Sequence, residues 1–442
     1  MPRLLIIQAA VLNSPESQRP LRIRKRKMVG VIMPYLAAMV PPGWQVTLHD
    51  DAISEPDYDG PWDAVAITMR TVSSLRSYQI ADKFRMRGVT VLIGGPHATF
   101  HYEEMAEHAD AVCIGEGEEV FPRMLEDAAA GRLQKLYRRT EAASLDGLPT
   151  PRWDLLNMKD YVFYRPFVIQ QSRGCPYTCE FCAECRLNGD YGWRCRPAEE
   201  IVDDIRKCGA RHIFFAASQF VGHKGRTMEL LEALIPVKIK WSALFSPRFG
   251  LDAEFLDLAK RSGLLHVNMG IESISQDTLK TMHKGFNHAQ TYEEMIRNLN
   301  DRNISYSFNF VLGADSDMPD VFDATLRFLE ENKVPTAYFN LMVPLRGTPV
   351  FNNMKAAGRL LDETNLERWA GVKCHFVPKN MSDKLLISEV KRMQREFYSY
   401  GSMLRRLRFP PRSIADFANW NINFIERKVA HHSDFMNEFS EF

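Results

Sequence analysis

The chain has 442 residues, 45% hydrophobic and 25% charged, with 56 basic against 55 acidic side chains. That length exceeds one ordinary domain, and the near-zero net charge implies no nucleic acid or other polyanionic partner. Four of the eight cysteines (Cys175, Cys179, Cys182, Cys185) crowd into eleven positions while the rest are scattered, which excludes a disulfide framework and points to a metal site.

From Arg3 to about Ala130, short apolar strands alternate with helical stretches. The predicted strands are Leu4–Ile7, Val46–Leu48, Ala64–Ile67, Val89–Ile93 and Ala111–Ile114. Unbroken apolar strands between helices predict a doubly wound parallel sheet covered on both faces, here over residues 1–145. Met28 to Trp44 is uncharged and follows a basic run. Pro34, Pro41, Pro42 and Gly43 interrupt it, so no transmembrane segment is predicted and the protein reads as cytoplasmic. Gly94-Gly95-Pro96-His97 and Gly115-Glu116-Gly117-Glu118 follow the last two strands, where ligands bind in such sheets; tight turns are the alternative reading. A nicotinamide-type phosphate site is disfavoured. The first strand leads into Gln8-Ala9-Ala10-Val11 without a glycine-rich turn, and Glu116 puts a carboxylate where phosphate would sit.

A proline-bearing connector, Leu145 to Tyr164, opens the second unit, 146–350. Its predicted strands are Phe167–Gln170, His212–Phe215, Ile239–Ala243, His266–Ile271, Tyr306–Leu312 and Ala337–Met342, with helices between them. Six such repeats predict an α/β barrel, complete or partial, with chemistry at the C-terminal ends of its strands. Residues 351–442 show helical periodicity and many charges, and read as a small helical domain.

Cys175, Cys179 and Cys182 fall in the loop leaving the first barrel strand. Three thiolates ligate three irons of a 4Fe-4S cluster and leave the fourth iron open, as a catalytic site requires. A zinc site would want two separated cysteine pairs, and a ferredoxin four cysteines per cluster. Cys185 is expected to stay outside the ligand set.

The run Ser172-Arg173-Gly174-Cys175-Pro176-Tyr177-Thr178-Cys179-Glu180-Phe181-Cys182 carries the Cys-x3-Cys-x-aromatic-Cys signature, and the chain resembles radical S-adenosylmethionine (SAM) enzymes with an N-terminal cobalamin-binding domain. The likeness extends through Gly270-Ile271-Glu272-Ser273, Gly347-Thr348-Pro349 and both glycine loops of the first domain. It implies that SAM chelates the open iron and is cleaved to a 5'-deoxyadenosyl radical. An external electron donor such as flavodoxin or ferredoxin would reduce the cluster. It also implies Phe181 near the adenine, with Gly270 and Glu272 holding the cofactor; a buried Glu272 paired with an arginine is the structural alternative. Two departures stand out. Ala217-Ser218-Gln219-Phe220 replaces an Asp-Asp-Asn-Phe run, leaving Ser218 and Gln219 to hydrogen-bond the cofactor without a carboxylate. No Asp-x-His-x-x-Gly is present, and His49 and His97 have other neighbours. Cobalamin would then bind without a histidine ligand, its lower face on Thr68-Met69-Arg70-Thr71, through the loops that carry Gly94, Gly95, His97, Gly115, Glu116 and Gly117. A cofactor-free scaffold is the alternative.

The activity implied is methylation of an unactivated carbon of a small molecule, lipid or tetrapyrrole-type metabolite. An oxidative or cyclising radical reaction is the rival, as in the anaerobic magnesium-protoporphyrin ester cyclase group. A non-catalytic iron–sulfur or zinc protein is opposed by the barrel and the open triplet.

Overall fold

The computed structural model describes residues 1–14, 17–187, 191–369 and 373–431. Its first sheet holds β1 (Arg3–Gln8), β2 (Gln45–Asp50), β3 (Ala64–Thr68), β4 (Thr90–Gly94), β5 (Ala111–Ile114) and β6 (Leu136–Arg138), all parallel, in the order β2-β1-β3-β4-β5-β6. Alternation along each strand sends neighbouring residues to opposite faces. Leu5, Ile7, Val65, Ile67 and Ile93 pack on one side, and Leu4, Ile6, Ala64, Ala66 and Leu92 on the other. Order reverses between β1 and β3, which opens a crevice at their C-terminal ends. The apolar Met28–Trp44 segment is spent on internal packing: Val29 bridges to Phe167, and Ile32–Ala38 is a seven-residue helix over the first sheet. No described helix is long and apolar enough to cross a membrane.

The second unit contains β7 (Phe167–Gln170), a two-residue antiparallel ribbon of β8 (Ser172–Arg173) and β9 (Arg194–Cys195), then β10 (His212–Ala216), β11 (Lys240–Leu244), β12 (Leu264–Glu272), β13 (Ser305–Leu312) and β14 (Thr336–Leu341). Its main sheet is parallel in the order β14-β13-β12-β11-β10-β7, with no pairing between β14 and β7, so the barrel is partial. Helices such as Ala198–Cys208 lie between strands and bury one stripe; this one buries Ile201, Val202 and Ile205 and stops where Gly209 takes the left-handed conformation.

Beyond Phe351 the described residues form the helices Asp383–Phe397, Tyr400–Arg406 and Ile414–His431, and the first of these builds no separate core. Leu386, Val390, Met393 and Phe397 of the helix Asp383–Phe397 join the same cluster as Phe310 and Phe339 of β13 and β14. The reason is the open sheet edge, whose apolar face needs a cover. Between the two, the 361–369 stretch returns to the first domain: Glu367 meets His101 at 2.7 Å, Arg368 donates to Ser74 Oγ at 3.2 Å, and Trp369 packs with Val11 and Leu12.

Candidate functional site

The C-terminal ends of both sheets face one cavity of about 540 Å³. From the first sheet it is lined by Thr68, Gly94, Gly95, Gly115, Glu116 and Gly117, and from the barrel by Gln170, Ser172, Arg173 and Ser218. Gly95 has φ of +119°, and a Cβ there would stand 2.5 Å from the Met69 carbonyl oxygen, so only glycine lets β3 and β4 end side by side. Around Gly117 nothing lies nearer a hypothetical Cβ than Phe121 Cβ at 4.0 Å, so packing within the chain does not demand a glycine there.

Four charged side chains bridge the domains at this wall. Arg173 Nη1 lies 3.0 Å from Glu116 Oε1, and its Nη2 is in contact with Glu118 Oε1. Arg194 Nη2 lies 2.6 Å from Glu116 Oε1, the Ala143 amide donates to Glu116 Oε2 at 2.6 Å, and the Tyr35 hydroxyl donates to Glu118 at 2.8 Å. These side chains are 10–18% exposed. Burial pushes both carboxyls up, yet hydrogen bonds and charge from Arg173 and Arg194 hold them below the ordinary carboxylate value. Glu116 is thus engaged by two arginines of the barrel unit. Glu118, Arg173 and Arg194 were not singled out from sequence, although Glu118 and Arg173 sit inside the quoted motifs.

At the barrel rim, β8 turns into the cysteine loop through Gly174, whose Cβ would lie 1.9 Å from the Gly192 carbonyl. The Cys182 amide donates to the Cys179 carbonyl at 3.1 Å, and the Glu180 amide to the Met282 carbonyl at 3.1 Å, which fixes the loop against the C-terminal end of the helix Gln276–Thr281 that follows β12. Burial pushes the Cys175 thiol up to about 11 and Cys179 to about 12, and raises Cys182; Cys175 and Cys179 each also feel the charge of Cys182. Such a set of half-buried thiols becomes a thiolate set when a cation is supplied, and the donors suit an iron–sulfur cluster. Cys185 Sγ donates to the Tyr177 carbonyl at 3.0 Å.

Glu272, the last residue of β12, has φ of +62° and is 6% exposed. Its Oε1 meets Lys284 Nζ at 2.5 Å, and the Lys284 ammonium stands 5.9 Å from the Phe181 ring centroid. A Cβ on Gly270 would lie 2.3 Å from Glu272 Oε1, so that glycine makes room for the pair. Phe181, Gly270 and Glu272 are therefore brought together beside the thiols. Lys284, with Cys179 and Cys182 among the charges it feels, joins them and was missed in the sequence. Glu272 is paired with a lysine, where the structural alternative named an arginine.

Other expected residues lie elsewhere. Ser218 reaches the cavity; Gln219 is 2% exposed and its Oε1 accepts from the Ser246 amide at 3.1 Å. Met69 is fully buried, Arg70 is exposed, and Thr71 Oγ1 is 3.1 Å from His97 Nδ1. His97 is fully buried with Nε2 3.0 Å from the Tyr78 hydroxyl and its ring stacked on His101 at 4.3 Å. Burial, then His101 and Arg368, pushes it down to about 3. Met69, Arg70, Thr71 and His97 do not line the cavity. They buttress the loops that do.

The cavity suits a corrinoid. Its floor is glycine backbone, and Glu118 Oε2 and Ser172 Oγ at its wall are buried without a hydrogen-bond partner among the described residues, available to amide side arms.

Residues 169–329 match the radical SAM superfamily, and residues 30–125 match the B12 binding domain. The chain is 29% identical over 433 residues to bacteriochlorophyllide d C-12(1)-methyltransferase of Chlorobaculum tepidum, covering 95% of this chain and 93% of that one. It is 26% identical over 358 residues to hopanoid C-2 methylase of Rhodopseudomonas palustris, covering 75% and 65%. The fold superposes on the radical SAM methyltransferase TsrM from Kitasatospora setae with a TM-score of 0.70 at 16% identity, covering 99% and 98%. The two sheets, the thiol triplet and the cavity between them thus define a radical SAM enzyme with a B12-binding domain. The chain carries both domains, which imply a 4Fe-4S cluster, SAM and cobalamin as cofactors, and it is similar along its length to cobalamin-dependent radical SAM methyltransferases.

Proposed function

We propose that the chain methylates an unactivated carbon on the periphery of a large polycyclic substrate, a bacteriochlorophyllide-type tetrapyrrole. The observation that carries this reading is the shared cavity: the glycine loops of the first sheet and Ser172 and Arg173, which lead into the cysteine loop, wall one space, where a substrate would lie between the two domains. The full-length similarity to a tetrapyrrole methylase supports the substrate class. When bound, the cluster with SAM supplies a hydrogen-abstracting 5'-deoxyadenosyl radical and cobalamin supplies the methyl group.

In this proposal Cys175, Cys179 and Cys182 are the cluster ligands, and Phe181, Gly270, Glu272 and Lys284 shape the adjoining SAM site. Gly94, Gly95, Gly115 and Gly117 admit the corrin edge, Ser218 lies at the meeting of the two cofactors, and Gln219 holds the strand end that carries Ser218. Glu116 keeps the first domain in register, and Met69, Arg70, Thr71 and His97 support the β3 and β4 loops from behind. An external one-electron donor such as flavodoxin or ferredoxin and a cytoplasmic location complete the reading.

The test is product stoichiometry with a bacteriochlorophyllide substrate under anaerobic, reducing conditions. Methylation yields S-adenosylhomocysteine and 5'-deoxyadenosine in near-equal amounts. Accumulation of 5'-deoxyadenosine without S-adenosylhomocysteine refutes methyl transfer in favour of the oxidative or cyclising reaction.

A further inference from the structure

The last described helix, Ile414–His431, is amphipathic the wrong way round for a helix packed on a core. Surface helices of globular proteins turn apolar side chains inward and polar ones to water. Here the inward stripe is polar. Asn419 Oδ1 accepts from Ser305 Oγ at 2.6 Å; Asn423, fully buried, donates to the Pro335 carbonyl at 2.8 Å; Arg427 donates to the Tyr398 carbonyl at 3.2 Å. The opposite stripe is apolar: Ile414 is 63%, Phe417 62% and Phe424 45% exposed. Phe409 (71% exposed) packs edge-on against Trp420 at 5.8 Å, and Trp420 against Phe424 at 5.6 Å, so the exposed rings form one continuous patch. Leaving them in water costs free energy that folding does not recover, and contiguous apolar surface of this kind marks an interaction site.

Its position and rim say what it meets. Ser305 and Thr336 open β13 and β14, so the helix crosses the N-terminal end of the barrel, opposite the cysteine loop and cavity. At the same end, on the turn before β7, Phe163 and Tyr164 are 97% and 67% exposed. Of the basic side chains leading into Ile414–His431, Arg406 is buried and Arg405 pairs with Glu330 at 2.7 Å, which leaves Arg408 and Arg412. Arg408 and Arg412 are exposed beside the rings and form no ion pair with a described residue, and Trp420 Nε1 donates to the Arg408 carbonyl at 2.9 Å, tying charge to aromatic patch. A second copy docked two-fold on this face would bring these unpaired arginines toward their own counterparts. An anionic bilayer surface instead takes the rings into its headgroup boundary and the arginines onto its phosphates.

We propose that this end of the barrel is a peripheral membrane-docking face for anionic phospholipid, with Phe409, Phe417, Trp420 and Phe424 inserted at the headgroup level and Arg408 and Arg412 on the lipid phosphates. The cavity mouth then points away from the bilayer, open to an electron donor in solution.

The test is co-sedimentation of the reconstituted full-length protein with vesicles, comparing phosphatidylcholine alone with three parts phosphatidylcholine to one part phosphatidylglycerol. Binding is expected to the mixed vesicles only, weakened by salt. Two double variants are compared with the native protein: Phe417→Ser with Phe424→Ser, and Arg408→Glu with Arg412→Glu. Each is expected to lower the partition coefficient about tenfold or more, with unchanged circular dichroism and iron content because these side chains are exposed. No binding to anionic vesicles overturns the proposal, as does binding indifferent to both variants. A dimer in sedimentation velocity that the phenylalanine variant dissociates, without vesicle binding, assigns the face to a second copy instead.

Discussion

Replacing Arg173 by methionine tests whether the ion-pair wall holds the two domains in register. The guanidinium is 12% exposed and faces Glu116 and Glu118, themselves 10% and 12% exposed. After its removal Glu116 keeps Arg194, but among the described residues Glu118 retains the Tyr35 hydroxyl and a backbone hydrogen bond and no charged partner. Removing one partner of a buried pair typically costs about 3–5 kcal/mol, and the surviving partners of Glu116 place this variant at the lower end, about 3 kcal/mol. The pH dependence carries a sign. In the native protein Glu118 is held below its ordinary value of 4.5, so its stabilising contribution is present above that pH and is lost as pH falls through the depressed value. In the variant, burial outweighs the remaining hydrogen bonds and raises Glu118, so acid favours its folded state. The stability gap between native and variant is therefore widest near neutral pH and narrows in acid. Anaerobic urea denaturation at several pH values, followed by tryptophan fluorescence, measures it. A gap below about 1 kcal/mol that does not change with pH would mean that the carboxylates are solvated, and the reasoning from burial would fail.

Anaerobically reconstituted protein should carry close to four irons and four sulfides per chain. Cys182→Ala should lose the cluster and Cys185→Ala keep it, by iron and sulfide analysis with electron paramagnetic resonance; a full cluster in Cys182→Ala refutes the ligand set. His97, pushed by burial from its ordinary 6.5 to about 3, binds a proton in the unfolded chain before the folded one, so stability falls as pH drops from 6.5 towards 3. Its share of the slope is at most about 1.4 kcal/mol per pH unit; His97→Gln should flatten the curve by that amount within this window and nowhere else, and an unchanged slope would count against a neutral buried imidazole.

Strands long enough to show an apolar run were legible: all eleven expected strands are present. Those missed are β6, three residues with only Tyr137 buried, and the two-residue ribbon β8/β9, whose partners lie some twenty positions apart. The thiol triplet was legible because its chemistry lies in one short segment. Lys284 was not, because its partner Glu272 sits across a helix at a positive-φ strand end, and nothing local marks the pairing. The same reason hid Glu118 and Arg173, which lie 55 residues apart. Helical periodicity in the tail was legible, but periodicity does not say which stripe faces inward. In Ile414–His431 the buried stripe is the asparagine one, chosen by the polar groups at the start of β13 and β14 that it hydrogen-bonds.

The wall between the domains also bears on why this chain holds two of them in one unit. Arg173 stands two residues before Cys175, and Glu116 and Glu118 flank Gly117 in the loop that would receive the corrin edge. Any displacement of the first sheet must therefore either break ion pairs buried at the cavity wall or carry the strand entering the cysteine loop along with it. A linker such as Leu145 to Tyr164 could hold the domains together without fixing the spacing between their loops. Hydrogen abstraction and methyl delivery at one carbon require reacting atoms aligned to within a fraction of an ångström, and misplacement by about 1 Å can cost two orders of magnitude in rate. The ion pairs at 2.6–3.0 Å supply the short, directional contacts that such registration demands, which is why a conservative Arg173→Lys exchange, keeping charge but losing the two-pronged geometry, should disturb turnover more than it disturbs folding.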